Sequence, residues 1–238
     1  IYAKPSHKSE VTSQILYGEK FKIISKKKSW FKIKNYYDNY TGFIKCVKFK
    51  GKFEPTHKVY KLKTKIFKKI KNKFLPSKYF LYFASKISII NFDGKFMQFE
   101  KNKWVKKEDL KSINFFEGNF IKLIKLFLNT KYLWGGKTSN GIDCSALIQI
   151  YFYYNRTFFS SVTRNQIKFC KNKSKKKNNT GDIIFWKGHV GICINNSKFI
   201  HAYGPKKKVL IMPTKYTIKL IYETANLRVK KISNIKNY

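Results

Sequence analysis

Cys144 is the residue with the most chemistry to offer. It directly follows Asp143, a good helix N-cap, and Ala146, Leu147, Ile150 and Tyr151 then recur as one side of an amphipathic stretch. Its sulfur is expected in the first turn of a helix, where unpaired N–H groups and the macrodipole favour an anion and depress a thiol pKa. Such a thiol becomes a nucleophile when a base reaches it and a further polar group orients that base. His189, heading an apolar run after the turn Lys187-Gly188, and His201, in the next run, supply both. If these runs pair as an antiparallel hairpin turning near Asn195-Asn196, both imidazoles can face one side of the sheet. His189 would then take the thiol proton while His201 fixes its tautomer. Cys170 and Cys193 read instead as small buried hydrophobes, as free cysteines in cores usually are.

The elements that must position these groups come in two styles. Residues 8–49 read as short strands between turn signals: Gln14-Ile15-Leu16-Tyr17, the turn Gly18-Glu19, Phe21-Lys22-Ile23-Ile24, Trp30-Phe31-Lys32-Ile33 and Gly42-Phe43-Ile44. A second pass begins near His57, with Lys86-Ile87-Ser88-Ile89-Ile90, Lys95-Phe96-Met97-Gln98-Phe99 and Lys103-Trp104-Val105 in similar order. Two small β-barrels are expected, over residues 1–52 and 53–114. From Glu117 the period turns helical, with Phe120, Leu123, Ile124, Phe127 and Leu128 on one stripe. Thr163-x-x-Gln166 has capping-box spacing and predicts a further helix start. Beyond a lysine-rich loop at 171–177, residues 182–186, 189–194, 198–203 and 209–212 read as antiparallel strands. Helices followed by a sheet make residues 115–238 an α+β unit of catalytic size.

Composition narrows the function classes. The 238-residue chain carries 52 Lys+Arg against 12 Asp+Glu, a net charge of +40, yet 43% hydrophobic and 18% aromatic residues exclude a disordered basic tail. Arg156, Arg164 and Arg228 are the sole arginines, so 49 of the 52 cations are lysine. A surface built to read nucleic acid would recruit the bidentate arginine fork, so no specific nucleic-acid partner is expected and the lysines read as a solvated, genome-wide bias. No run of 18 apolar residues predicts a membrane span. Cys46, Cys144, Cys170 and Cys193 include no C-x-x-C pair, and the two late histidines lie 12 apart without H-E-x-x-H. Neither a metal nor another cofactor is expected.

Four blocks in order give this pattern a resemblance. Tyr132 through Ser145 is similar to the nucleophile motif of the NlpC/P60 family of papain-like cysteine peptidases, and Gly181-Asp182-Ile183-Ile184-Phe185-Trp186 to the strand before its histidine. Gly188-His189-Val190-Gly191 resembles the histidine motif, and Phe199-Ile200-His201-Ala202 the block of the third residue. Upstream, Leu16-Tyr17-Gly18-Glu19 and Asn39 through Ile44 resemble motifs of bacterial SH3-like barrels, which commonly precede such domains. The resemblance implies a papain-like fold, with helices packed on an antiparallel sheet, behind two barrels. It implies hydrolysis of bacterial cell-wall peptides, typically between γ-D-glutamate and a diamino acid, through a thioester.

Carried over by motif, Cys144 is the nucleophile, His189 the base and then acid, and His201 the orienting group. Tyr132 lines the site as an oxyanion donor beside the Cys144 N–H, next to Trp134 of the Trp-Gly-Gly turn. Asp143 and Ser145 correspond to residues that hold substrate amino and amide groups, and Arg164 and Gln166 to another family block. Two positions depart from the pattern: Ala146 replaces a usual glycine, and Asn165 an acidic residue that often follows the arginine. In related dipeptidases the first barrel closes the groove, which makes Tyr37, Asp38 and Tyr40 contacts for a free peptide N-terminus; an open groove would instead cut intact wall. The expected partners are muropeptides or cell wall, bound by a monomer. A start at Ile1, unlike a signal peptide, favours the cytoplasm and muropeptide recycling, whereas a removed leader would mean the periplasm or the exterior. A non-catalytic wall-binding module and an acyltransferase or amidase on the same scaffold are the competing readings.

Overall fold

The computed structural model describes residues 1–49, 52–173 and 178–237, so residues 174–177 of the expected lysine-rich loop lie outside the described residues. The chain divides into two compact units, Ile1–Phe116 and Glu117–Tyr238.

In the first unit, β1 (Phe21–Lys27), β2 (Trp30–Asn35) and β3 (Thr41–Lys45) form an antiparallel meander. The segment 14–17 is not a strand, in contrast to the sequence expectation. It runs into a turn in which the Glu19 carboxylate accepts from Leu16 N and Asn35 Nδ2, both at 3.2 Å. The second set of strands comprises β4 (His57–Val59), β5 (Lys63–Ile70), β6 (Lys73–Tyr82), β7 (Lys86–Ile87), β8 (Asn91–Asp93), β9 (Phe96–Glu100), β10 (Lys103–Lys106) and β11 (Leu110–Ser112). They make a sheet of order β6-β5-β10-β9-β8 and a smaller one of order β11-β4-β7. Val59, Ile66, Leu81, Ile87, Met97, Phe99, Val105 and Leu110 close the core between them.

The long hairpin β5–β6 was not legible because lysines occupy its solvent positions and Pro76 interrupts the pattern of β6. Its lysines are nonetheless placed. Lys63 and Lys65 lay their ammonium groups 3.9 and 4.1 Å from the Phe80 ring centroid, covering aromatic surface with aliphatic stems.

The second unit contains α1 (Phe120–Lys125), the short pair β12 (Lys137–Thr138) and β13 (Gly141–Ile142), α2 (Cys144–Tyr154), α3 (Thr163–Phe169), β14 (Asp182–Trp186), β15 (His189–Cys193), β16 (Lys198–Tyr203), β17 (Lys208–Pro213), α4 (Thr214–Ala225) and β18 (Lys231–Asn234). One antiparallel sheet of order β17-β16-β15-β14-β18 receives α2 on β15 and β16, and α4 on β16 and β17. This is the α+β arrangement expected, with differences at its helices and at one sheet edge. Helix α1 is shorter than its apolar stripe: Phe127 is fully buried but lies in the turns after the helix, and Leu128 is exposed. Helix α2 is buried nearly all round rather than amphipathic. No capping box forms at α3, whose N-cap is Val162, because the Gln166 side chain is engaged elsewhere. Helix α4 and edge strand β18 were not foreseen; β18 pairs with β14 through Asp182↔Asn234 to Phe185↔Lys231.

The turn at Gly18 is the sharpest steric constraint of the first unit. Its φ is +83°, and a Cβ there would sit 2.2 Å from the Lys86 carbonyl oxygen, while Lys86 N donates to Tyr17 O at 2.8 Å. Gly94 also has positive φ, +54°, but open space around the missing Cβ. Gly18→Ala should therefore destabilise the protein by about 2 kcal/mol or more and Gly94→Ala by about 1 kcal/mol, read by chemical denaturation. Equal losses would show that conformational strain alone, without the Lys86 contact, sets the cost.

Candidate active site

The nucleophile candidate is built by its N-cap. Asp143 has extended backbone and accepts from Ala146 N at 2.8 Å, as a capping carboxylate should. The same Oδ1 receives Ser145 Oγ at 2.8 Å, and Oδ2 receives Gly135 N at 3.0 Å. With the Ser145 N–H, four donors hold one buried carboxyl, and burial still raises its pKa. The cap thus locks the Trp134-Gly135-Gly136 turn onto the first turn of α2. Trp134 itself is mostly exposed.

Cys144 is 4% exposed. Its Sγ lies 3.9 Å from Gly188 O and receives the Val190 N–H, so the thiol is bracketed by the backbone on either side of His189. The expected depression of its pKa is not found. Burial, and then the Asp143 carboxylate, push the thiol up to about 12, and the N–H groups of Val190, Ser145 and Cys144 itself do not offset this. A helix N-terminus lowers a thiol pKa only while the anion keeps some solvent or a cation, and neither is supplied here.

The two histidines meet as the hairpin register requires. Strands β14 and β15 pair Trp186 with His189, and β15 and β16 pair Ile192 with Ile200 and Cys193 with Phe199. His189 Nε2 lies 2.9 Å from His201 Nδ1. Gly191 makes room for this approach: a Cβ there would sit 2.8 Å from His201 Cβ and 2.4 Å from Phe199 Cζ. His201 is fully buried and stacks on Tyr203 at 4.7 Å, while the partly exposed His189 ring lies against Trp186 and Tyr203. Burial pushes His189 down to about 4; for His201, burial and then His189 push it down to about 3. Thiol and imidazoles all rest uncharged at neutral pH.

Tyr132 is half-buried, and burial, then Cys144 and Asp143, push its hydroxyl up to about 12, so it remains a proton donor beside the thiol. Ser145 follows Cys144 in the first turn of α2, and Gln166 is bonded to it. Gln166 is fully buried, and its amide donates to Ser145 O at 3.0 Å and Ser160 O at 2.8 Å. It braces the first turn of α2 instead of presenting that amide to a substrate. Arg164 is exposed on α3. Tyr37, Asp38 and Tyr40 lie in the β2–β3 turn of the first unit, where Asp38 Oδ1 accepts Tyr40 N at 3.1 Å. Among the described residues, no cluster of three or more His, Cys, Asp or Glu side chains is placed to hold a metal ion, and no helix is long and apolar enough to cross a membrane. Sequence reading named Gly191 only as part of the histidine motif, without this steric role, and gave no role to Met212, whose Sδ lies 3.4 Å from His201 Nε2. The glycine between two large neighbours was a usable signal; the methionine, one apolar residue in a strand, gave none.

Residues 129–224 match the NlpC/P60 family, and residues 1–47 match the bacterial SH3 domain. The chain carries an NlpC/P60 domain. Among curated proteins it is 30% identical over 88 residues to the dipeptidyl-peptidase 6 of Lysinibacillus sphaericus, covering 37% of this chain and 32% of that protein. To the probable peptidoglycan endopeptidase LytE of Bacillus subtilis it is 33% identical over 93 residues, covering 35% of this chain and 27% of that one. The chain thus spans about a third or less of the length of these two relatives. A solved NlpC/P60 family protein from Bacillus cereus shares the fold at a TM-score of 0.72 and 22% identity, over 85% of this chain and 76% of that one.

The uncharged histidine pair of the NlpC/P60 domain gives stability a definite pH dependence. An unfolded chain protonates both rings near pH 6.5, whereas the folded chain does so only near 4 and 3. Their contribution is complete above pH 6.5 and is lost as pH falls through 4 and then 3. In denaturant titrations the wild type should lose stability through that window, and His189→Gln should lose less. Parallel pH profiles for the two proteins would contradict the assignment.

Proposed function

We propose that the NlpC/P60 domain is a cysteine peptidase acting on peptidoglycan stem peptides, at the γ-D-glutamyl–diamino acid bond of L-Ala-γ-D-Glu-meso-diaminopimelate. One observation supports this above the others: a thiol at a capped helix start, held by the backbone flanking a histidine whose far nitrogen is bonded to a second, fully buried histidine. The curated relatives named as peptidoglycan endopeptidase and dipeptidyl-peptidase support the substrate class.

In this reading His189 Nε2 is committed to His201, which leaves Nδ1 to serve the thiol. Because Cys144 and His189 rest in their neutral forms, the proton leaves Sγ for Nδ1 as the sulfur attacks the γ-carbonyl carbon. The carbonyl oxygen becomes an oxyanion facing the Cys144 N–H, at the start of α2, and the Tyr132 hydroxyl. Collapse breaks the C–N bond, and the His189 imidazolium passes its proton to the leaving amine. The thioester is then attacked by water, with His189 accepting a water proton, and collapse returns the γ-carboxyl product and the free thiol. Burial keeps His189 neutral over the whole neutral range, so its lone pair is available, while the same burial lowers its basicity and ties the proton transfer to the attack itself.

Release of diaminopimelate from the tripeptide, followed by amine-labelled chromatography, tests the proposal. Cys144→Ala and His189→Gln should each lower kcat/KM by about 10³-fold or more, and the double variant by scarcely more than either, because the two residues act as one unit. Turnover retained in Cys144→Ala would remove the assignment of Cys144.

A further inference from the structure

A histidine pair can serve as a base in only one of its tautomeric arrangements, and something must select that arrangement. We propose that Met212 is the positioning residue that does so, by accepting the Nε2–H of His201 and thereby fixing the protons of both rings. For its consequence in catalysis the inference rests on the peptidase reading; its geometry stands without it.

Both nitrogens of His201 are engaged: Nδ1 with His189 Nε2 at 2.9 Å, and Nε2 with Met212 Sδ at 3.4 Å. Burial keeps both rings neutral, so each carries a single N–H. A thioether has no hydrogen to give and can only accept. If His201 carries its proton on Nε2, the sulfur is satisfied, Nδ1 is an acceptor, and His189 must donate its own Nε2–H. His189 Nδ1 then holds a lone pair. In the opposite arrangement a nitrogen lone pair faces a sulfur lone pair, His189 Nε2 becomes the acceptor, and its Nδ1 bears the hydrogen. That ring could not take a proton from Cys144.

The fold leaves the sulfur well placed for this selection. Phe199 and Tyr203 both pack on the His201 ring, which is itself fully buried. Strand β17 pairs Met212 with Phe199 and Leu210 with His201, so Met212 lies on the His201 side of the sheet, one diagonal step away. Met212 is 9% exposed, and its long unbranched chain can bring Sδ to a site that a branched residue could not reach. A sulfur acceptor is weak, but it need only separate two tautomers of similar energy.

Nitrogen-15 spectra of histidine-labelled protein at neutral pH test the proposal directly. The wild type should show both rings protonated on Nε2 and bare on Nδ1. Met212→Leu should show His201 and His189 as tautomer mixtures, with kcat on the tripeptide reduced about fivefold and KM unchanged. Met97→Leu, which changes the only other methionine and lies in the first unit, should leave the tautomers as in the wild type. A wild-type His201 protonated on Nδ1, or a Met212→Leu spectrum identical to wild type, would overturn the inference. If the leucine variant does not fold, the wild-type spectrum alone decides. Spectra as stated in a protein that never cleaves the tripeptide would instead overturn the peptidase reading and leave the tautomer assignment standing.

Discussion

The hydrogen bond between two uncharged imidazoles in a nearly dry seam is the constraint around which the second unit is arranged. In water such a bond would add little, because each ring could exchange its partner for solvent. Here His201 has no solvent to turn to, and losing its partner would leave a buried nitrogen unsatisfied at a cost of about 1–3 kcal/mol. The register of β15 on β16, the missing side chain at Gly191, the stacked Tyr203 and the sulfur of Met212 all bear on this contact. So does the thiol, because the strand that presents His189 also offers Gly188 O and Val190 N–H to Cys144. Dryness holds the groups neutral, and in the proposed mechanism this makes proton transfer part of the attack.

Scarce carboxylates serve as structural pins in a chain of net charge +40. Asp143 caps α2 and ties down the preceding turn. Asp182, fully buried at the start of β14, is paired with Lys173 and receives Asn179 N at 2.7 Å and Asn234 Nδ2 at 2.8 Å, which anchors the edge strand β18. In the first unit, Asp109 is bonded to Thr64 and lies 2.8 Å from Lys61 Nζ, and Glu19 closes the turn before β1. With only 12 acidic residues, few remain to neutralise the surface lysines, so the long-range field stays strongly positive. In the proposed setting that field would draw the domain toward anionic peptides.

Much of the site was legible because its signals are local. Asp143 before Cys144 announces a capped helix, and the capped helix forms. The strands of the two histidines stand out because apolar runs with short turns between them have few alternatives. The β5–β6 hairpin was hidden because lysine stems can cover aromatic rings, which defeats a reading that counts lysine as merely polar. The capping box at Thr163 failed for a related reason: Gln166 found two buried carbonyl partners in space, and these outweighed the local bond to its own helix end.

By itself the sequence determined the kinds of groups present, the helix start that carries the thiol and the strand that carries each imidazole, because caps, turns and periodicity act over a few residues. The tertiary structure alone decided the charge state of those groups and the partners of their hydrogen atoms. Burial sets a pKa, and burial is a property of everything packed around a residue. A thiol that local rules expect as an anion is held protonated here by the folded surroundings, and a methionine with no signature in the chain reaches the one nitrogen where an acceptor matters.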